Sequence, residues 1–298
     1  MLAKEIRTAY LALAVAIVCF SFSSILIRYS DAPSPAIAAY RMLLASLIIA
    51  PLALHRSRPE IVRLERRDSL LLVFIGVVLA FHFLFFVTAV KTTSVASATV
   101  LINAHPIIVA IMAFAILGEG SKWTAIGAIL GMLGIGFISF SEYGTDNFTG
   151  DILAFLGAVM ESVYIIMTRF MRRRIGILAF IFVVNTACAL MLIGICVAEG
   201  VPLWPYSTDN LIVFLAMAVV PAVIGYTLYN YSLRWLMAPQ VSVIQLGEAV
   251  LATLMAAVLF AELPAGFVFI GGALILLGIV FVVQANRKNG RKDHDVAG

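Results

Sequence analysis

Long apolar runs separated by short polar segments dominate this chain of 298 residues. Each run is close to the length of about 20 residues that a helix needs to cross a hydrocarbon core. The runs lack the alternation of apolar and polar residues that marks a transmembrane barrel, so we predict helices. The ten predicted spans are 8–28, 35–54, 69–90, 95–117, 122–140, 151–170, 175–197, 210–233, 239–260 and 264–284.

The composition supports the same conclusion. Hydrophobic residues make up 63% of the chain and charged residues only 12%, whereas a soluble domain carries roughly 25% charged residues. The mean hydropathy is +1.07. So few charges could not cover a water-facing surface, and we therefore predict an all-α integral membrane protein.

Several kinds of site are not expected in this chain. Its three cysteines, Cys19, Cys188 and Cys196, have no spacing typical of a disulfide or a metal site. The phosphate-binding motif GxxxxGK[ST] and the zinc motif HExxH do not occur. The net charge of +4 does not indicate a nucleic-acid partner, because the basic residues cluster in loops. We expect no cofactor, no metal and no nucleic acid, and the sequence does not address oligomeric state.

Lysine and arginine are distributed unevenly between the two sets of loops. With the N-terminus placed inside, seventeen of these residues lie on the inner side, and two, Arg28 and Lys91, lie on the outer side. The outer loops carry acidic residues instead. Because cytoplasmic loops of membrane proteins are enriched in Lys and Arg, we predict that both termini and the loop 55–67 are cytoplasmic.

The two halves of the chain resemble each other. Residues 91–119, "KTTSVASATVLINAHPIIVAIMAFAILGE", align without a gap to residues 234–262, "RWLMAPQVSVIQLGEAVLATLMAAVLFAE", at an offset of 143 that pairs Glu119 with Glu262. With one inserted residue, Gly127 and Gly134 pair with Gly271 and Gly278. Each half holds five spans, and an odd number requires the second copy to insert upside down, as in many secondary transporters. The predicted units are a first five-helix repeat at 1–140, an outer (periplasmic) linker at 141–150, a second five-helix repeat at 151–285 and a cytoplasmic polar tail at 286–298.

These marks resemble those of the EamA family in the drug/metabolite transporter superfamily. The resemblance rests on the five-plus-five repeat, "LGE" at 117–119, "FAE" at 260–262 and the glycine-rich fifth and tenth spans. It implies ten helices in two inverted repeats and a transporter of the bacterial inner membrane, and it favours export. Some relatives export amino acids, including aromatic ones, and others move vitamins, nucleotide-like cofactors or metallophores.

One part of the resemblance bears on the substrate. In aromatic amino-acid exporters of the family, the third and fourth spans line the cavity with a His and several Tyr or Trp. Here His82 is comparable, but the neighbouring positions hold Phe81, Phe85, Ile102 and Ala104. This difference argues against an aromatic amino acid as the solute.

Polar side chains recur at one depth of the predicted bundle. His82, His105, Glu161, Asn185 and Glu248 all fall about nine to twelve residues from a membrane face when a span is taken as about 20 residues. Such groups are costly in lipid and usually face a cavity or a partner. The alternative is that they only form hydrogen bonds between helices.

The repeat and the helical periodicity narrow this set. The offset of 143 places His105 on Glu248, which favours His105 over Asn103 as a cavity residue. Residues three or four apart share a helix face, as do Gln245 with Glu248 and Glu161 with Tyr164. The predicted substrate-binding or coupling residues are His82, His105, Glu161, Tyr164, Tyr226, Gln245 and Glu248.

Two prolines are predicted to act in gating. Pro106 removes a backbone hydrogen bond from the fourth span and is expected to kink it. Pro221, close to Gly225 and Tyr226, is a similar weak point in the eighth span. The alternative for both is a static kink that fits neighbouring helices.

Other residues invite structural explanations. We expect Glu119 and Glu262 to cap or fix loops, and the glycines of the fifth and tenth spans to allow close helix contact or a dimer contact. Arg41, about six residues into the second span, either extends towards the headgroups or pairs with a buried carboxylate.

The leading functional hypothesis is a secondary transporter that exports a small amino-acid-like or related amphipathic metabolite by alternating access. Protons are a possible coupling ion, because a desolvated His or carboxylate can titrate near neutrality. The first alternative is an uptake carrier for a vitamin or cofactor-like metabolite. The second, from another class, is an intramembrane enzyme that uses His and Glu as an acid–base pair. Without a visible nucleophile or metal motif, the sequence favours a non-enzymatic protein.

Overall fold

The computed structural model describes residues 2–92, 101–140, 148–260 and 266–295, which form helices joined by short turns, with no strand among them. The helices are α1 Leu2–Arg28, α2 Ser34–Arg56, α3 Arg58–Val62, α4 Arg66–Thr92, α5 His105–Met112, α6 Lys122–Phe140, α7 Phe148–Arg172, α8 Ile177–Ala198, α9 Thr208–Met217, α10 Tyr226–Trp235, α11 Ala238–Gln245, α12 Gly247–Phe260 and α13 Gly266–Asp295. Two π-helical segments, Ala113–Leu117 and Ala218–Gly225, follow α5 and α9.

The prediction of an all-α protein with several membrane-spanning helices is confirmed. Six helical stretches are long and apolar enough to cross a membrane, namely Lys4–Ile27, Ser34–Arg56, Arg66–Ala89, Ile152–Arg172, Ile177–Ala198 and Thr208–Trp235. Shorter apolar helices cover His105–Leu117, Lys122–Phe137 and Phe269–Val282. The structure thus describes the fourth predicted span only from residue 101, and it divides the ninth between α11 and α12.

Two predicted segments fall partly outside the described residues. Of the linker 141–150, only the last three residues are described, and they belong to α7. The final helix α13 continues through Asp295 and so includes most of the predicted polar tail. The short helix α3, between α2 and α4, was not predicted and lies in the basic loop 55–67.

The two ends of the bundle differ in charge. The basic end is formed by the loops 57–65, 118–121, 173–176 and 236–237, beside arginines at the ends of α2, α7 and α10. The acidic end is formed by the loops 29–33 and 199–207, which carry Asp31 and Glu199. Between these ends, large apolar side chains such as Leu47 and Leu190 are exposed on the outer helix faces, as expected for a surface that meets lipid.

Helix breaks occur at matching places in the two repeats. The fourth span is interrupted at residues 103 and 104, and the ninth at Leu246. The offset of 143 relates residue 103 to residue 246 and His105 to Glu248. His105 therefore begins α5, and Glu248 is the second residue of α12. Transporters often place such breaks at the midplane, because the N-terminal ends of half-helices offer unpaired N–H groups there.

The glycines of α6 and α13 bring these helices into backbone contact within one chain. A Cβ added at Gly127 would lie 2.8 Å from the Gly278 carbonyl oxygen, and one at Gly134 would lie 2.5 Å from that of Gly271. In the sequence alignment, Gly127 pairs with Gly271 and Gly134 with Gly278. Each glycine therefore contacts the repeat mate of the other, which is the pattern expected when a local two-fold relates the two helices.

Candidate functional site

A chain of polar side chains crosses four helices in the interior. The Tyr229 hydroxyl of α10 donates to Oε1 of Gln245 in α11 at 2.7 Å, and Nε2 of Gln245 donates to Oε1 of Glu161 in α7 at 3.3 Å. The other Glu161 oxygen, Oε2, lies 3.4 Å from Nε2 of His82 in α4. Nδ1 of His82 bonds the Gly157 carbonyl oxygen at 3.0 Å. Three of the predicted residues, His82, Glu161 and Gln245, are thus in direct contact.

The bonding of His82 fixes which ring nitrogen faces Glu161. A carbonyl oxygen only accepts hydrogen bonds, so Nδ1 of His82 must carry a hydrogen to bond Gly157. Nε2 is then the atom that faces Glu161, 3.4 Å from Oε2. Both side chains are buried, and Oε2 makes no hydrogen bond to the described residues.

His105 is buried at the start of α5. The neighbouring Pro106 accounts for one of the hydrogen bonds that His105 makes. Pro106 has no backbone N–H, so the carbonyl oxygen of Ile102, four residues earlier, lacks its usual helical donor. Nδ1 of His105 lies 3.3 Å from that oxygen and supplies the missing donor. Nε2 is also buried and has no hydrogen-bond partner in the described part of the chain.

The predicted kink at Pro106 requires a correction. The fourth span does not bend as one continuous helix, because it breaks at residues 103 and 104, and Pro106 lies in the first turn of α5. Proline is well tolerated there, since the first N–H groups of a helix have no intrahelical acceptor. Pro221 lies within the π-helical segment Ala218–Gly225. A gating role for either proline stays a prediction.

Glu248, the repeat mate of His105, lies in the first turn of α12. Its backbone carbonyl accepts a hydrogen bond from Ser21 of α1 at 3.3 Å. Its side chain is half-buried and close enough to Glu161 for the two carboxylates to interact electrostatically. The N-terminal end of a helix carries partial positive charge, which favours a carboxylate at this position.

Tyr164 and Tyr226 line the same interior region. The Tyr164 hydroxyl donates to Oδ1 of Asn230 at 2.9 Å, and the rings of Tyr164 and Tyr226 are 5.9 Å apart. Tyr226 also contacts Phe20 and Phe83 at centroid distances of 4.9 and 5.9 Å. These rings form an apolar wall beside the polar chain, whereas the sequence pattern had singled out only the two tyrosines.

Arg41 of α2 is the main residue that the prediction of the site omitted. It is only 5% exposed and lies over Phe83, with its Cζ atom 4.6 Å from the ring centroid. Burial excludes the expectation that it extends towards the headgroups. The alternative, a direct ion pair, is not found either, since no carboxylate of the described residues lies within 4.0 Å of its guanidinium. A lone Arg within an apolar span was the signal that could have identified it.

Asn185 of α8 occupies the predicted depth but joins no described part of the polar chain. It is buried, and its side-chain nitrogen has no hydrogen-bond partner among the residues that the structure describes. Helix α8 packs against α2, the helix that carries Arg41.

Glu119 closes the basic end of the bundle. Its Oε1 atom accepts bonds from Arg169 Nε at 2.9 Å and Arg173 Nη2 at 2.5 Å, and its Oε2 atom accepts the backbone N–H of Ala238 at 3.0 Å. Arg169 also donates to the carbonyl oxygens of Leu233 and Arg234 at 2.8 and 2.6 Å. The network joins the ends of the fourth, sixth and eighth spans to the start of α11, and the expected loop-fixing role of Glu119 is confirmed. Its repeat mate Glu262 lies outside the described residues.

The glycine of the "LGE" motif has a local reason. Gly118 ends the π-helical segment with a φ of 63°, a left-handed conformation that favours glycine. The chain then turns so that the N–H of Glu119 bonds the Ala113 carbonyl oxygen at 3.1 Å. This turn directs the Glu119 side chain into the bundle, where it is buried.

Two cavities accompany these groups. A cavity of about 440 Å³ opens at the acidic end, lined by Ser34, Pro35, Leu84, Phe85, Thr88, Thr92, Leu153 and Glu199. Two of its α4 residues, Leu84 and Phe85, follow His82 within one helical turn. A second cavity of about 490 Å³ lies between α4 and α8, with an almost wholly apolar lining. None of the predicted site residues lines either cavity, and the first is the one with the more polar lining and the shorter distance along α4 to His82.

Comparison with known proteins identifies both repeats. The model of the EamA-like transporter family matches residues 7–140 and 148–284. One solved crystal structure aligns with a TM-score of 0.79 over 95% of this chain and 98% of the other, at 20% sequence identity. That likeness supports the fold alone. A search of curated proteins gave no match.

Proposed function

Because this chain belongs to the EamA-like transporter family, we propose that it is a secondary transporter that exports a small amino-acid-like or related amphipathic metabolite by alternating access. The observation that carries the proposal is the buried polar chain from His82 through Glu161 and Gln245 to Tyr229. It joins the first repeat to the second, and a solute site between inverted repeats is the usual plan of secondary transporters.

The difference between the two ends supports alternating access. At the basic end, the contacts of Glu119 with Arg169, Arg173 and Ala238 hold the helices together. At the acidic end lies the cavity of about 440 Å³, whose lining includes Leu84 and Phe85, two and three residues after His82. This is the arrangement of a carrier that is closed at one end and open towards the other. Movement of solute requires the Glu119 contacts to break and the cavity to close.

Direction and location belong to the same proposal. The seventeen lysines and arginines assigned to the inner side lie in the loops of the basic end, at the helix ends beside them or near the two termini. By the positive-inside tendency we assign this end and both termini to the cytoplasm of a bacterial cell. The open cavity would then face the outside of the inner membrane. Export is favoured by family likeness, and no nucleotide-binding motif is present in the sequence. The driving force is therefore a gradient of ions or of the solute itself.

Comparison of metabolite pools tests the proposal directly. Cells that overproduce the protein and cells that lack it are compared for intracellular and extracellular metabolites. An exporter depletes a solute inside and enriches it outside, whereas an uptake carrier gives the opposite change. The solute is then loaded into liposomes that hold the purified protein. Flux without chemical change supports a carrier, and product formation without net flux would instead support an intramembrane enzyme.

Glu248→Gln separates two roles for the half-buried carboxylate in the same liposomes. The amide keeps the size of the side chain but cannot ionise. If Glu248 carries a coupling proton, uphill transport fails while solute exchange survives; if it binds a cationic group of the solute, both fall. Normal transport by a folded variant would remove Glu248 from the site and weaken the assignment of its repeat mate His105.

A further inference from the structure

The guanidinium of Arg41 has one edge without a partner. Nη1 donates to the Ser23 hydroxyl at 3.0 Å. Nε is buried and has no hydrogen-bond partner in the described part of the chain, and none is found there for Nη2. The Nε–Nη2 edge is the side of an arginine that binds a carboxylate with two parallel hydrogen bonds.

The surroundings hold this arginine in place without filling that edge. Its Cζ atom lies 4.6 Å from the Phe83 centroid and 5.8 Å from that of Tyr226. Contacts with ring faces stabilise the charge but accept no in-plane hydrogen bond from the edge. Ser23 fixes the opposite side of the guanidinium. The group is therefore pre-oriented, which lowers the entropy lost when a ligand binds.

Nearby charges limit what the edge can accept. Glu161 and Glu248 both interact electrostatically with Arg41, although neither forms a direct ion pair with it. Arg41 supplies one positive charge, and the two carboxylates oppose it when they are ionised, so each further negative charge on a ligand adds repulsion. A monoanionic group is therefore less disfavoured here than a doubly charged phosphate.

From these observations we infer that Arg41 binds the carboxylate of the transported solute through its Nε–Nη2 edge. This inference rests on the proposed transport function, to which it adds a recognition element. The aromatic rings of Phe83 and Tyr226 then lie beside the bound carboxylate and contact the apolar part of the solute. Solutes that share this part but lack the carboxylate are rejected, because the buried Nε donor would stay unpaired.

The test uses matched ligands on the purified full-length protein in lipid nanodiscs. The probes are the proteinogenic L-amino acids, their carboxamides, the corresponding simple carboxylates such as 4-methylpentanoate, the corresponding amines and a set of phosphate monoesters. Thermal unfolding is recorded with each. We expect at least one carboxylate to raise the midpoint of unfolding and its carboxamide to leave it unchanged. Stabilisation by amines, amides or phosphate esters in place of carboxylates overturns the assignment, as does a panel in which no carboxylate stabilises.

Variants then locate the effect. Arg41→Lys keeps the charge but loses the paired edge, and we expect the affinity for the carboxylate to fall about tenfold to a hundredfold, the range for hydrogen bonds to charged groups. Ser23→Ala removes the bond to Nη1 but leaves the Nε–Nη2 edge in place, so the affinity should fall less than in Arg41→Lys. Unchanged affinity in Arg41→Lys would refute the assignment. If Arg41→Lys does not fold, the comparison of each carboxylate with its carboxamide on the wild-type protein still tests the assignment.

Flux measurements separate this inference from the proposed function. A protein that transports a solute without a carboxylate is a carrier in which Arg41 has another role. A protein that binds carboxylates through Arg41 but moves none in liposomes keeps the binding site and loses the proposed function.

Discussion

The contacts of Glu119 allow the stability of the closed basic end to be tested. Glu119→Gln keeps the shape of the side chain and one acceptor oxygen but removes its charge. In the wild type this carboxylate meets Arg169, and both side chains are less than a tenth exposed, while Arg173 is about half exposed. Loss of charge from a buried hydrogen bond costs about 1.5–3 kcal/mol, and an exposed ion pair adds at most about 1 kcal/mol.

These contributions indicate a loss of about 1.5–4 kcal/mol from the state in which the basic end is closed. Since every 1.4 kcal/mol is a factor of ten, the ratio of open to closed molecules should rise at least about tenfold and at most about 700-fold. The estimate assumes that the contacts break when this end opens, because Glu119 joins helix ends that belong to both repeats.

A cysteine behind this network can report the opening. Ser242 of α11 is fully buried, so a Ser242→Cys thiol should react slowly with a water-soluble reagent supplied at the basic end. We expect Glu119→Gln to accelerate its labelling by about one to three orders of magnitude. Arg173→Gln is the matched control, with an expected change below about fivefold because its partner contact is half exposed. The native Cys188 is also buried and should stay unlabelled.

Two results would refute the reasoning. Equal labelling in the wild type and in a folded Glu119→Gln variant would show that the network does not control access. Faster labelling at Cys188 as well as at Ser242→Cys would show general loss of the fold instead of opening at one end.

Three further predictions concern packing, the helix break and topology. Gly134→Ala should destabilise the protein by about 1–3 kcal/mol in chemical denaturation, because its Cβ would lie 2.5 Å from the carbonyl oxygen of Gly271. Gly136 has open space around it, so the control Gly136→Ala should be neutral or slightly stabilising in the same assay. Pro106→Ala adds a backbone N–H that competes with the imidazole of His105 for the carbonyl oxygen of Ile102. Solute flux should slow several-fold, which corresponds to about one lost hydrogen bond, while expression stays near normal. In intact cells, an impermeant thiol reagent should label Thr208→Cys but not Ser57→Cys.

Each of these has a clear contrary outcome. Equal denaturation curves for the two glycine variants would mean that α6 and α13 separate without cost. Unchanged flux in Pro106→Ala would leave the break as a static feature of the fold. Reversed labelling of the two cysteines would overturn the orientation, and since the native cysteines of the described chain are buried, background labelling should be low.

Features that follow from the spacing of residues along the chain could be predicted from the sequence. Apolar runs of membrane length predicted the helices, and the offset of 143 predicted that His105 and Glu248 occupy matching places. The same depth argument selected His82 and Glu161, which the structure brings to 3.4 Å. Depth and periodicity suffice here because a rigid helix carries its side chains at fixed intervals.

Features that depend on several distant segments could not be predicted. The role of Glu119 requires Arg169 and Ala238, which are 50 and 119 residues away. The unpaired edge of Arg41 becomes visible only when Ser23 and Phe83 are placed around it. The break before α5 was also missed, because a proline within an apolar run is compatible with a kink as well as with a new helix start.

One short segment connects the two functional regions. Residues 105–117 begin with His105 in the interior and end beside Glu119, about 20 Å away along a helix of this length. The break at 103–104 marks one end of the segment, and the other end is π-helical and followed by the left-handed Gly118. The bonds at the break differ from those in the second repeat, where Ala249, at the position that matches Pro106, keeps its N–H and bonds Leu246 at 3.2 Å.

The two repeats therefore share a geometry but hold their breaks differently. Backbone bonds cross the break in both repeats, from Ile107 to Ala104 in the first and from Ala249 to Leu246 in the second. The first repeat adds the bond from the imidazole of His105 to the carbonyl oxygen of Ile102. A backbone bond does not respond to ligands, but an imidazole bond changes when the ring is protonated or recruited by a solute. We therefore expect the segment that ends at Glu119, and not its counterpart α12, to transmit events in the polar site to the closed end of the bundle.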